Sequence, residues 1–377
     1  MTQKYGCGFV NVTDYTVVEA LLEDGFVSWE GENHGKDNGF KPKFDYTGKM
    51  WFIAADEATG LPAKLIRATL VPGSPFPTIT LSVADLPSIN EGSEKPKPNQ
   101  VTIDQNGVVF FPGGPVLDDS GNAVIIRAEV TDEDPFTVSY TITPVGAQGQ
   151  YIGAYCVTLS KDHAYVATYA TSPGNNGGDA IVDFDTATLT QYDYLSTRFT
   201  GETPYNMETD TSDSINDSYS YVILGTQQPA ISGSIEAFLM PDFIGGLVET
   251  ECEGLDEVVA VGEFDPAVNQ GVVYTMERYN RQPGTQNKYY RYLTAGAGSL
   301  TYDTAVNFTD PSKSSTHHDI RREHYDDVWA SSAISPETDG EIREDASGVQ
   351  TTRHERDGYV QVGVACKREK FGTAPPI

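Results

Sequence analysis

The stretch Tyr155–Leu195 reads YCVTLSKDHAYVATYATSPGNNGGDAIVDFDTATLTQYDYL and decides the fold. Two β-rich runs, Tyr155–Leu159 and Ala164–Tyr169, flank a polar turn at Ser160–His163. A Gly/Asn-rich loop, Pro173–Gly178, follows. A third run, Ala180–Phe184, passes through Asp185–Thr188 into a fourth, Leu189–Leu195. Short β-branched and aromatic runs separated by turn residues predict four strands in one antiparallel meander.

The meander recurs toward the C-terminus. Lys161-Asp162-His163-Ala164-Tyr165-Val166 has an echo in Asn216-Asp217-Ser218-Tyr219-Ser220-Tyr221-Val222. Further echoes are Asn269-Gln270-Gly271-Val272-Val273-Tyr274 and Tyr325-Asp326-Asp327-Val328-Trp329. The steps from Asp162 are 55, 53 and 56 residues, close to the blade period of a propeller with long loops. Asp179–Phe184 also matches Gly233–Phe238. The motifs SKDHAYVAT and DFDTATLTQ resemble the repeats of lactonase-type and surface-layer β-propellers. The later repeats lack the Asp-Thr-Ala-Thr turn, so two readings stand for residues 148–377: a propeller-like domain or a double sandwich.

Upstream, residues 1–72 read as a small N-terminal docking β domain. Tyr15–Leu22 is its one helix candidate, with Asp14 as N-cap and Gly25 beyond its end. Phe26–Trp29, Lys49–Ala55 and Lys64–Leu70 read as strands. Val71–Pro77 is a Pro/Gly linker. Strands then follow at Thr78–Val83, Val101–Asp104, Val108–Phe111, Ala123–Val130 and Thr137–Thr143. Their spacing predicts an immunoglobulin-like sandwich over residues 78–147. AVIIRAEVTDEDPFTVSYTITP resembles the last strands of Ig-like and cadherin-like modules of surface proteins and phage structural proteins. The whole chain is therefore expected to be all-β.

Composition bounds the partners. The 377 residues carry 25 Lys/Arg against 54 Asp/Glu, a net charge of −29. Such a surface repels the phosphates of nucleic acid and of anionic membranes. It suits high salt, where charge is screened within a few Å, or cation binding. No run of 18 apolar residues occurs, so no transmembrane helix is expected. The N-terminus, MTQKYGCGFVNVTDYT, has neither the basic nor the apolar region of a secretory signal. The four cysteines, Cys7, Cys156, Cys252 and Cys366, form no CxxC pair and read as buried thiols.

Chemistry is sparse. His317, His318 and His324 cluster with Asp319, Asp326 and Asp327, but without the spacing of a metalloprotease helix. Asp210, Asp213 and Asp217 form a carboxylate loop that lacks the closing Glu of a calcium loop. The turn Asp132-Glu133-Asp134 is a further carboxylate group able to hold Ca²⁺. No cofactor is expected, with Ca²⁺ at the carboxylates, or Zn²⁺, Mn²⁺ or Fe at the histidine cluster, as the metals these residue types admit. Asn280–Tyr290 (NRQPGTQNKYY) reads as an exposed binding loop, with Asn280, Arg281, Gln282, Tyr289 and Tyr290 as its contact residues. There is no GxSxG elbow, no P-loop and no GxGxxG after a strand, so no catalytic residue is assigned and a non-enzymatic protein is expected.

An acidic, sheet-built chain with an outward-facing character and no export segment resembles a surface structural protein of a tailed virus. That resemblance implies decoration of the capsid as a turret or knob, or a place in the tail fibre. It also implies a virion location, symmetric homo-oligomers, contact with other virion proteins and with a host surface glycan, and a saline or halophilic host. Residues 313–370 carry only −3 of the charge, which favours contact between subunits. The alternative is a carbohydrate-binding or carbohydrate-active β-propeller protein.

Overall fold

The computed structural model describes residues 4–11, 17–22, 25–29, 43–45, 47, 49–56, 58–71, 78–104, 106–160, 162–169 and 180–196, and the backbone of the later strands named below. Among the described residues every regular element is a strand, 28 in all. The chain is all-β, as its composition and turn chemistry require.

Strands β1 (Lys4–Asn11) and β2 (Val17–Leu21) pair antiparallel, and β1 also pairs in parallel with the last strand, β28 (Tyr359–Lys367). The first and last described strands thus share one sheet. The first sheet of the body holds β3 (Phe26–Ser28), β4 (Lys43–Phe44), β5 (Met50–Asp56), β6 (Pro62–Val71) and β7 (Thr78–Asp85). The second holds β8 (Thr102–Ile103), β9 (Val109–Pro112), β10 (Val124–Glu133) and β11 (Phe136–Pro144). The third holds β12 (Gly153–Ser160), β13 (His163–Tyr169), β14 (Ala180–Asp185) and β15 (Gln191–Ser196). The fourth holds β16 (Thr203–Thr209), β17 (Ser220–Gln227), β18 (Ser234–Met240) and β19 (Thr250–Glu251). The fifth holds β20 (Val258–Asp265), β21 (Gln270–Glu277), β22 (Lys288–Thr294) and β23 (Leu300–Asn307). The sixth holds β24 (Thr316–Arg322), β25 (Val328–Ala333), β26 (Asp339–Glu344) and β27 (Gln350–Arg356).

From the second sheet to the sixth, each is an up-and-down meander in chain order. Each packs on the next, and the sixth packs on β28, so the row of sheets closes on itself. Seven antiparallel-based sheets in a closed ring, with the first and last described strands in the closing sheet, is the arrangement of a β-propeller. The echoes spaced near 55 residues mark the second strand of the third to sixth sheets: β13, β17, β21 and β25. The pair Asp179–Phe184 and Gly233–Phe238 likewise marks third strands, β14 and β18. The double-sandwich reading of residues 148–377 gives way to this ring.

Alternating burial explains the packing. In β5, Met50, Phe52 and Ala54 enter one core with Leu22 beside the closing sheet. Trp51 and Ile53, on the opposite face, enter a second core with Val109, Phe111, Val124 and Ile126 of the second sheet. Phe110 and Ile125 then face Val157, Val166, Val182 and Phe184 of the third. Tyr165 and Ile181 turn the other way, onto Met207 of the fourth. Middle strands are covered on both faces and read as continuous apolar runs. Outer strands alternate instead: β7 and β11 are half-exposed along their length. Each fully buried Phe or Ile stabilises the ring by roughly 2 kcal/mol.

Two sequence readings change here. Tyr15–Leu22 was expected as a helix, but Val17–Leu21 is strand β2; its adjacent Val17 and Val18 favour the extended backbone, and β1 offers a pairing edge. The strands of residues 78–147 do not form a two-layer sandwich of their own. β7 pairs along its whole length with β6 in the first sheet, while β8–β11 make the second. The sheet formed by β6 and β7 therefore bridges the Pro/Gly linker.

Aspartate builds the hairpins. Asp45 Oδ1 accepts from the Thr47 and Lys49 N–H groups, Asp104 from Asn106 and Val108, and Asp118 from Ser120 and Asn122. Asp185 accepts in the same way from Ala187 and Thr188. One short side chain replaces missing ladder partners at each turn. Part of the chain's acidity is therefore architectural.

The 86–101 connection laces four sheets together. Trp29 Nε1 donates to Pro98 O at 2.8 Å, Lys97 N to Gly113 O at 2.9 Å and Asn99 N to Tyr155 O at 2.9 Å. The buried Gln100 donates to Met207 O at 2.7 Å and accepts from Met207 N at 2.9 Å. It thereby occupies the open edge of β16, the first strand of its sheet. Gly114 (φ 68°) sits beneath this connection, and a Cβ there would meet Lys97 O at 2.1 Å.

Candidate functional site

In a four-stranded meander the first and third hairpins emerge at the same end. At that end of the first and second sheets lies a cleft of about 240 Å³. Its walls come from the Asp45 turn before β5, from Arg67 on β6, from the Asp104 turn before β9, and from the end of β10.

Arg67 is the centre of this cleft. It is only 6% exposed. Its guanidinium lies 4.6 Å from the Phe136 ring centroid and 5.5 Å from that of Trp51. These cation–π contacts cover a weakly hydrated, planar cation without removing its donors. Nη1 donates to Glu133 Oε1 at 2.9 Å, and Nη2 donates to Glu133 Oε2 and to Ser82 Oγ. Among the described residues, nothing accepts from Arg67 Nε. Glu133 is held below the usual carboxylate range, first by the Arg67 hydrogen bond, against the penalty of burial, with the charges of Arg67 and then Lys49 adding attraction.

The other carboxylates are already engaged. The buried Asp45 accepts from Trp51 Nε1 at 3.0 Å, from Thr47 Oγ1 at 2.6 Å and from two turn N–H groups. Glu129 accepts from Arg127 Nη1 at 2.9 Å. Lys49 lines the cleft and makes no ion pair with any described residue.

The third sheet carries a second polar group at its equivalent end. His163 Nδ1 lies 3.0 Å from both oxygens of the buried Asp183. The imidazole stacks on Tyr165 at 5.9 Å and meets Tyr192 at 5.4 Å. Tyr192 Oη donates to Asp185 Oδ2 at 2.7 Å. That bond, with those from Thr188, lowers Asp185 to about 2, and the same bond to Asp185 raises the Tyr192 phenol to about 12. Burial, together with Asp183 and Asp162, raises the Tyr165 phenol.

The sites expected from sequence lie elsewhere. His317 and His318 fall on β24, where the register shifts between His317 and Asp319. His324 and the loop residues Asp210, Asp213 and Asp217 lie outside the described residues. Among the described residues, no three His, Cys, Asp or Glu side chains are grouped to hold a metal. Tyr289 and Tyr290, expected in a binding loop, are instead strand residues of β22, paired with Met276 and Thr275 of β21. Their β-propensity and the neighbouring β21 edge place them there. Asn280, Arg281 and Gln282 lie outside the described residues. Glu133, read as one of three cation-binding carboxylates, is committed to Arg67. Sequence reasoning missed Arg67 and Lys49. The signal was present: a lone Arg inside the apolar run KLIRATL must bring a partner with it.

No family model matches the sequence, and no curated protein does. Solved structures do match. A presumed 6-phosphogluconolactonase from Bacteroides uniformis ATCC 8492 superimposes with a TM-score of 0.55 at 13% identity, covering 94% of this chain and 92% of that one. One from Bacteroides fragilis NCTC 9343 gives 0.55 at 10% identity, covering 94% and 90%. A mutant of AofleA from Arthrobotrys oligospora gives 0.52 at 10% identity, covering 91% and 93%. At these identities the likeness is one of fold, and it extends over nearly the whole of each chain.

Proposed function

We propose that this chain is a β-propeller that binds carbohydrate, or a similarly polyhydroxylated small molecule, in the cleft between its first and second sheets. The observation that carries the reading is a recess of about 240 Å³ lined by polar side chains, Asp45, Thr47, Lys49, Asn106, Glu129 and Glu133, over a floor of Trp51 and Arg67. Ligand sites pair a shaped recess with a few placed polar groups, and this one offers both donors and acceptors to hydroxyls. Two proteins that share the fold are named for action on a sugar lactone, which agrees with a sugar-sized ligand.

Binding without turnover is the reading we favour, since each carboxylate of the cleft is engaged in holding structure. A glycan array followed by calorimetric titration of the best ligand tests it. A hit whose affinity falls at least about tenfold in Arg67→Lys supports the site, because Lys keeps the charge but loses the two-pronged hold on Glu133 at the rim of the recess. Absence of any hit, or a hit insensitive to Arg67 and Lys49, refutes it. Hydrolysis of a sugar lactone by the same protein would replace binding by catalysis.

A virion setting, with partner coat proteins, is a separate proposal that the glycan-binding reading does not require. Co-purification with particles tests it.

A further inference from the structure

We infer that the outer edge of β11 is a self-association surface, on which a second copy of this chain adds its own β11 antiparallel about a two-fold axis; this stands apart from the binding reading above. Among the described residues β11 (Phe136–Pro144), the outermost strand of the second sheet, pairs with β10 alone. An edge strand of nine residues leaves every second N–H and C=O pointing outward. Proteins protect such edges with charges, proline or bulges. Here FTVSYTITP carries no charged residue, its one proline is the last residue, and the bulge of the β10–β11 pair lies on β10, at Thr131. The outer strands of the third, fifth and sixth sheets each carry charge within them: Asp193 on β15, Asp303 on β23, Arg353 and Glu355 on β27. β7, which packs beside β11, is charged only at its last residue, Asp85, so the neutral edge belongs to a neutral sector.

The register and the charge favour a second copy over a foreign peptide. Antiparallel pairing centred on Tyr140 sets Phe136 opposite Pro144 and Ser139 opposite Thr141 of the other copy, so the whole strand pairs with itself. The half-buried Phe136, Val138, Tyr140 and Ile142 of both copies then stay on one face. The acidic tips Asp132-Glu133-Asp134 fall beyond opposite ends of the new ladder, so their like charges do not meet. On the other face Thr137, Ser139 and Thr141 are exposed and small, and they offer a foreign strand no pockets by which to read its sequence. The edge is also held in place: Tyr140 Oη donates to Asp85 O at 2.8 Å, and the Thr131 and Thr137 hydroxyls lie 2.9 Å apart. Copies carrying −29 repel at long range, so a neutral sector is where two can touch, and salt favours the contact by screening the rest.

The test is sedimentation velocity of the full chain from about 1 to about 500 μM, a range suited to an interface at the small end of specific contacts. It is run in about 0.1 M and about 1 M NaCl. A reversible dimer of twice the chain mass is expected, tighter in the higher salt. The paired variant Ser139→Lys with Thr141→Lys sets like charges opposite one another across the two-fold axis and is expected to weaken the dimer at least about tenfold in the lower salt. Ser139→Glu with Thr141→Glu should do the same, and mixing the two variants should restore a mixed dimer. Far-UV circular dichroism confirms that both variants fold. A monomer at every concentration and salt overturns the inference. So does a dimer that neither variant weakens, or variants that fail to pair when mixed, since either result places the contact elsewhere on the chain.

Discussion

Replacing Gln100 by Leu isolates what the 86–101 connection contributes. The side chain is 2% exposed and makes two hydrogen bonds to one residue, Met207, 107 positions away. Leu has similar volume, so little cavity opens. What is lost is the pair of partners for a buried backbone N–H and C=O on the open edge of β16. Each bond contributes about 1 kcal/mol net, and each buried group left unpaired costs about 1–3 kcal/mol. Some relief by entering water brings the expected total to about 2–4 kcal/mol. For a chain of this length that corresponds to a fall in Tm of about 2.5–5 °C. Gln100→Glu keeps the acceptor but sets a carboxylate against Met207 O. Its deficit should exceed that of Leu at neutral pH and shrink as pH falls toward about 4, because the folded state raises the pKa of this acid and the protonated form regains a donor. Urea unfolding followed by Trp fluorescence and by circular dichroism measures both variants. Coincident transitions with an unchanged slope allow the comparison. A Gln100→Leu cost below about 0.5 kcal/mol would show that the connection is not holding the third and fourth sheets together.

Other outcomes follow from the same geometry. Gly114→Ala should destabilise by about 2–4 kcal/mol, because a positive φ and a backbone oxygen at 2.1 Å cannot both be relieved by side-chain motion; a neutral result in urea unfolding contradicts the close approach. Asp185 has a folded pKa of about 2, below its unfolded value, so its stabilising contribution is complete above pH of about 4 and is lost as pH falls toward 2. Tyr192→Phe removes the largest cause of that depression, and NMR titration of the Asp185 carboxyl should show its pKa rising toward the ordinary value. Asp45→Ala should cost about 2–4 kcal/mol by orphaning the buried Trp51 Nε1–H and loosening the turn; a change confined to Trp fluorescence without loss of stability would refute that role.

Much of the architecture was legible because it is local. Apolar runs such as MWFIAAD and AIVDFD, closed by Asp- and Gly-containing turns, specify strands and hairpins by themselves. The repeat spacing then points to one meander following another. The short run YTVVEALL was ambiguous for a physical reason: its pattern suits either a helix or a strand, and the presence of β1 as a partner decides. The sandwich reading of residues 78–147 failed for a related reason. Strand spacing does not say which edge β7 will meet, and β6 was the available one.

The candidate site was scarcely legible, because its parts are distant in sequence. Arg67 and Glu133 are 66 residues apart, and no local pattern links them. From the chain alone come the all-β class, the meander and the aspartate-built turns, since each depends on side chains within a few residues of one another. Tertiary structure alone decides the closure of the ring by its first and last described strands, the lacing of Gln100 to Met207, and the burial of one guanidinium between two aromatic rings. Those features depend on which surfaces meet when the sheets pack, and a linear order of residues does not contain that information.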